Sequence, residues 1–144
     1  MANTLYDEAR RLFALGEIDW EADDLYCILV NATYTFSTAH TNLSFVSGSA
    51  GGPRDYGVSG VVGVALATKA VETNGAVNAA AVRFVTCAVG RPAVTGIIIY
   101  RKKSTDETSE LIYFADVATG LPITPNGGDI IVTWSTGTNK IFRL

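Results

Sequence analysis

The run Val94-Thr95-Gly96-Ile97-Ile98-Ile99-Tyr100-Arg101-Lys102 is followed, after the polar stretch Lys103–Thr108, by Glu110-Leu111-Ile112-Tyr113-Phe114-Ala115-Asp116-Val117. Both runs are dominated by β-branched and aromatic side chains, which fit a pleated surface better than a helix. Two such runs joined by a short charged turn predict an antiparallel hairpin.

Toward the C-terminus the same signals recur. Asp129–Ser135 and Lys140–Leu144 are strand-like and flank the turn Thr136-Gly137-Thr138-Asn139, which predicts a second hairpin. Toward the N-terminus, Leu25–Val30 is apolar on both alternating faces, the pattern of a strand covered by two layers. Thr33–Ser37 and Asn42–Val46 are shorter strand candidates, and Ser47–Arg54 has the composition of a flexible loop. Gly57–Thr68 reads as a strand in which Gly57, Gly60 and Gly63 mark a bend, a bulge or a close backbone approach. Val71–Asn78 reads as a loop, Ala79–Ala81 as a helical turn, Ala81–Cys87 as a strand and Gly90-Arg91-Pro92 as a turn.

One helix is expected. Leu5, Ala9, Leu12 and Phe13 repeat on one helical face, with Thr4 as the N-cap, Asp7 as its capping-box partner and Gly16 as the C-cap. The predicted fold is therefore mainly β: an antiparallel, jelly-roll-like β-sandwich with one short N-terminal amphipathic helix. A chain of 144 residues suits one domain, with residues 1–23 forming the helix and an acidic loop and 24–144 the β core.

Composition narrows the function. With 48% hydrophobic and 17% charged residues the chain is not of the disordered class. A net charge of −3 offers no general attraction to nucleic acid or an anionic membrane. Within the total, residues 1–24 hold seven acids against Arg10 and Arg11, so this segment is −5 and the remainder +2. A solvated acidic loop is the expectation there. The N-terminus lacks a basic and apolar signal pattern, and the longest weakly polar run, Gly57–Ala67, is short of a membrane span, so a soluble protein made in a cytoplasm is expected. Cys27 and Cys87 sit among apolar neighbours, as buried free thiols do.

Chemistry-bearing patterns are thin. His40 is the only histidine and lies in the polar segment Ser37–Asn42, with no G-x-S-x-G elbow anywhere in the chain. Glu17, Asp19, Glu21 and Asp23 alternate like a calcium loop but lack its glycine and its closing glutamate, where Ile28 stands. Gly57, Gly60 and Gly63 are followed by no Lys-Ser/Thr, and Arg101-Lys102-Lys103 reads as a solubilising hairpin tip. The expectation is a non-enzyme with no catalytic, cofactor-binding or metal-binding residues.

Three stretches resemble a known family: Ala2–Arg10, Gly16–Trp20 and Ala118–Leu144. The most specific run is Ala115-Asp116-Val117-Ala118-Thr119-Gly120-Leu121-Pro122-Ile123-Thr124-Pro125-Asn126-Gly127-Gly128-Asp129-Ile130. Together they resemble small virion structural proteins of tailed bacteriophages, of the head decoration or cement type. The resemblance implies a β-sandwich bound to the outside of the capsid, with the major capsid protein or other virion proteins as partners. It also implies a homo-oligomer, a location in the virion after synthesis in the host cytoplasm, and neither nucleic acid nor membrane as partner. A tail or neck component, or a glycan-binding adhesion domain of the virion, is the alternative. Leu5, Tyr6, Trp20, Phe142 and Leu144 are the contact candidates. Sealing the domain's own core is the competing role for each of them.

Overall fold

The computed structural model describes residues 3–56 and 62–144. It is mainly β, with every strand pairing antiparallel and one α-helix among the described residues. In chain order the elements are β1 (Thr4–Leu5), α1 (Asp7–Ala14), β2 (Leu25–Asn31), β3 (Val64–Ala65), β4 (Ala70–Val71), β5 (Ala76–Asn78), β6 (Val82–Phe84), β7 (Val94–Arg101), β8 (Leu111–Ala115), β9 (Ile130–Val132) and β10 (Phe142–Arg143). Short 3-10 turns occupy Leu43–Phe45 and Asp106–Thr108. The strands fall into a five-stranded sheet of order β1-β8-β7-β2-β3, a three-stranded sheet β10-β5-β4 and a two-stranded ribbon β6-β9.

The centre of the large sheet is the part dictated most directly by side-chain type. β7 and β8 form the expected hairpin, with Ile98 opposite Phe114 and Ile99 opposite Tyr113. β2 lies along the other edge of β7, pairing Cys27 with Ile99 and Ile28 with Ile98. Ile28 and Ile98 are fully buried on one face and Cys27 and Ile99 on the other, so both faces of these strands are covered and the unbroken apolar runs are explained.

The helix forms, but its start differs from the sequence expectation. Thr4 is not the cap: Thr4 and Leu5 pair with Phe114 and Tyr113 as an edge strand, and Tyr6 occupies the N-cap position without a side-chain cap. Pairing with β8 captures the backbone of Thr4 before a capping box can. The far end matches expectation. Gly16 takes a left-handed φ of +72°, and the amides of Gly16 and Glu17 bond the carbonyls of Phe13 and Leu12. This pair of bonds is the Schellman arrangement, for which glycine carries no Cβ penalty.

Several local expectations are overturned. Thr33–Ser37 is irregular, and Asn42 caps a 3-10 turn, its Oδ1 accepting from the Ser44 amide, where a strand was expected. Asparagine's affinity for its own backbone outcompetes the β propensity of Phe45 and Val46 there. Residues 70–78 form the β4–β5 hairpin instead of a loop, and Ala79–Ala81 have no regular structure where a helical turn was expected. The second predicted hairpin does not form. β9 pairs with β6, placing Ile130 opposite Phe84, while β10 pairs with β5, placing Phe142 opposite Val77. Of the strand expected over Gly57–Thr68, positions 57–61 lie outside the described residues. Gly63 does mark a close approach: at φ +91°, a Cβ would fall 2.4 Å from the Cys27 carbonyl oxygen.

One cluster of buried side chains runs from Leu5 and Leu12 through the large sheet to Phe84, Ile130 and Phe142. Cys27 and Cys87 are both buried and free, as expected.

Candidate functional site

Four of the five contact candidates belong to the interior. Leu5, Tyr6, Trp20 and Phe142 are all within the core cluster, and only Leu144, 59% exposed, offers its side chain to solvent. Phe142 is the hub of an aromatic nest, meeting Trp20 at 5.3 Å, Tyr113 at 5.1 Å and Phe13 at 6.1 Å between ring centroids. The Trp20 indole N–H donates to the Asn78 carbonyl at 2.9 Å. These residues seal the domain and do not form a contact surface. Each is a large apolar body near a chain end, and such bodies close a core over the terminal strands.

Tyr6 enters the most unusual polar constellation of the molecule. Its hydroxyl lies 2.9 Å from the Tyr34 hydroxyl, which lies 2.8 Å from His40 Nδ1. The three groups form a chain from the fully buried Tyr6 to the half-buried imidazole. Phe36 and Phe114, stacked at 4.4 Å, meet the rings of Tyr6 and Tyr34, and Phe45 stacks on the imidazole at 4.6 Å. Burial raises the Tyr6 and Tyr34 phenols above their ordinary values and lowers the His40 imidazole.

The direction of this chain follows from its buried end. Among the described residues, Tyr34 is the only hydrogen-bond partner of the Tyr6 hydroxyl. With Tyr6 donating to Tyr34 and Tyr34 donating to Nδ1, every proton has an acceptor. The reverse order would leave the Tyr6 proton in the core without one, a cost of about 1–3 kcal/mol. His40 is therefore assigned as neutral, protonated on Nε2 and accepting at Nδ1. Its ring bonds a phenol, not a serine or a carboxylate. The sequence signal for this grouping was the density of aromatic residues at Tyr34, Phe36 and Phe45 around the single histidine, which went unused.

Charged groups with low exposure are tied across the chain. Arg101, expected at a solubilising tip, is a buried brace. Its guanidinium pairs with Glu110 at 2.9 and 3.0 Å, with Asp23 at 3.2 Å and with the Glu17 carbonyl. Burial pushes the Glu110 carboxyl up, but bonds from Arg101 and Lys103 outweigh it and hold it at about 2. The acidic segment is accordingly docked as well as solvated. Asp19 Oδ1 accepts from the amides of Glu21 and Ala22, and Glu21 Oε1 accepts from the Val71 amide at the edge of β4. Among the described residues no group of three or more His, Cys, Asp or Glu stands together as metal ligands.

A shallow cleft of about 260 Å³ is lined by Leu43, Gly48, Arg54, Tyr100, Lys102 and Asp106. Its polar groups are engaged within the chain. Arg54 donates to the Val46 carbonyl at 2.7 Å and pairs with Asp106, while Tyr100 donates to the Val62 carbonyl. Arg54 fastens the Ser47–Arg54 loop to the hairpin turn, so that glycine- and serine-rich segment is anchored at its end. The run Ala115–Ile130 is stitched in similarly. Asn3 Oδ1 accepts from the amides of Asp116 and Val117, and Cys87 exchanges backbone bonds with Gly127 and Gly128.

No protein-family model matches the chain, and no curated protein matches it.

Proposed function

We propose that the chain is a non-enzymatic structural protein of a tailed-bacteriophage virion, a decoration or cement protein that coats the outer surface of the head as a homo-oligomer and stabilises it. The resemblance of the two chain ends and of Ala115–Ile130 to such proteins motivates the reading. The observation that carries it is the use of buried and half-buried charge as internal bracing. Arg101 ties the leading segment to the β7–β8 hairpin through Asp23, Glu17 and Glu110, and Arg54 ties a loop to the turn of the same hairpin. A rigid β particle whose charges hold it together suits a clamp that acts through many modest contacts repeated by symmetry.

Co-sedimentation tests this directly. Purified protein is expected to pellet with expanded capsids that lack it and to raise their melting temperature. No binding at micromolar protein would reject the head-binding reading. One observation favours a second reading, a glycan-binding adhesion role: Phe45 is 50% exposed and stacked flat on His40, a ring face open to a sugar. That reading predicts a glycan-array signal abolished by Phe45→Ala.

A further inference from the structure

The ribbon β6–β9 is a sheet of its own. β6 lies close to β3 of the large sheet, and β9 pairs with β6 alone. Among the described residues, the backbones of Ile131, Val132 and Thr133 make no hydrogen bond outside the β6 ladder. The alternation of the ribbon is regular. Val82, Phe84 and Ile130 are buried and Val132 half-buried, while Ala81, Arg83, Val85, Asp129, Ile131 and Thr133 face out. Ile131 is 53% exposed.

An open edge reading Ile-Ile-Val-Thr is a template for another strand. Monomeric proteins blunt such edges by shortness, lysine, proline, a bulge or an inward-pointing charge; β9 is short, at three residues, but residues 130–133 carry none of the other four. We propose that β9 is a self-association edge, at which a second copy of this chain adds its own β9 antiparallel. The two ribbons would then form one four-stranded sheet of order β6-β9-β9-β6 about a twofold axis.

Complementarity selects the register. Centred on Ile131, the pairing sets Ile131 against the partner's Ile131 and Ile130 against the partner's Val132. Asp129, whose carboxylate pairs with Arg83 and accepts from the Thr86 amide of its own chain, then faces the partner's neutral Thr133, once on each side of the axis. Apolar meets apolar and no like charges oppose. Centring the pair on Ile130 instead would set Asp129 against the partner's Ile131, desolvating a carboxylate on an aliphatic side chain. Centring on Val132 would oppose Ile131 to a threonine. The inference gives a surface to the homo-oligomer in the proposed function and does not depend on the capsid.

Analytical ultracentrifugation of the intact chain is expected to show a monomer–dimer equilibrium. Ile131→Lys should weaken it by about tenfold or more, without lowering the melting temperature of the fold. Ile131→Cys provides a second, covalent readout. Because Cys27 and Cys87 are buried, mild oxidation should link two copies through position 131, whereas Val71→Cys, similarly exposed on β4, should not link. A wild-type chain that stays monomeric into the millimolar range overturns the interface, as does a dimer that Ile131→Lys leaves intact. Equal cross-linking at positions 71 and 131 would also overturn it. Capsid co-sedimentation reads the virion assignment separately, so failure of one does not imply failure of the other.

Discussion

Acidification is the perturbation that the Tyr6–Tyr34–His40 chain should report. His40 accepts at Nδ1, so protonating it turns an acceptor into a donor and reverses both hydrogen bonds. Tyr34 must then donate to Tyr6, and the Tyr6 proton, fully buried, is left without an acceptor. Stranding one buried donor costs about 1–3 kcal/mol. The folded state thus disfavours the imidazolium, in agreement with the downward shift that burial alone imposes on His40. A histidine whose folded value is depressed gives full stability above its unfolded value of about 6.5 and loses it as the pH falls through that value toward the folded one.

Urea unfolding followed by tryptophan fluorescence, from about pH 8 to about pH 5.5, reads this out in a window above most carboxylate titrations. His40 is the only histidine, so no other imidazole contributes. Tyr34→Phe is the control that gives the test its edge. It strands the Tyr6 proton at every pH, so at pH 8 it should be less stable than wild type by about 1–3 kcal/mol. As the pH falls, wild type loses the same bond and the two curves should converge. Parallel curves across the window would refute the assigned direction of the chain. So would an NMR titration placing His40 at or above its ordinary value, or a resonance pattern showing the proton on Nδ1.

Three further outcomes follow from the packing. Phe142→Ala should cost about 3–5 kcal/mol in urea unfolding, because it empties the nest formed with Trp20, Tyr113 and Phe13, whereas a surface contact residue would cost almost nothing. Gly63→Ala should destabilise by more than about 2 kcal/mol, since the new Cβ meets the Cys27 carbonyl oxygen in a backbone conformation that side chains rarely adopt. Glu110→Gln should cost about 3 kcal/mol by leaving the buried Arg101 without its bidentate partner. Because the Glu110 carboxyl sits at about 2, below its ordinary 4.5, its contribution is present above the ordinary value and fades as the pH falls toward 2. The acid limb of wild-type stability should therefore flatten in that variant.

The parts of the fold visible in the sequence are those where side-chain type alone chooses the structure. Ile97–Tyr100 and Leu111–Phe114 are strands whatever surrounds them, and the charged stretch between them turns back in either case. Pairing over distance was not visible. Asp129–Ser135 and Lys140–Leu144 are adjacent in sequence and strand-like, yet each prefers a partner about fifty or more residues away. Local reading favours the nearest partner because a short loop closes cheaply. Burial decided otherwise: Ile130 covers Phe84, and Phe142 reaches Val77 and the rings beside it. The hinge of the histidine chain was invisible for the same reason, since Tyr6 and Tyr34 stand 28 positions apart.

Misplacement of the contact candidates follows from the same physics and says where contacts should be sought. Leu5, Tyr6, Trp20 and Phe142 attract attention because they are large and apolar near the chain ends. Those properties are also what a small domain uses to close its core over short terminal strands. A side chain selected for contact in a folded domain must instead be one that the regular alternation of its own strand leaves outside. Ile131 meets that condition on the ribbon, where Val82, Phe84 and Ile130 take the inward positions. An isoleucine held at 53% exposure beside an unpaired backbone edge has no role in the monomer's core. Its position in the fold also leaves main-chain groups beside it unpaired among the described residues.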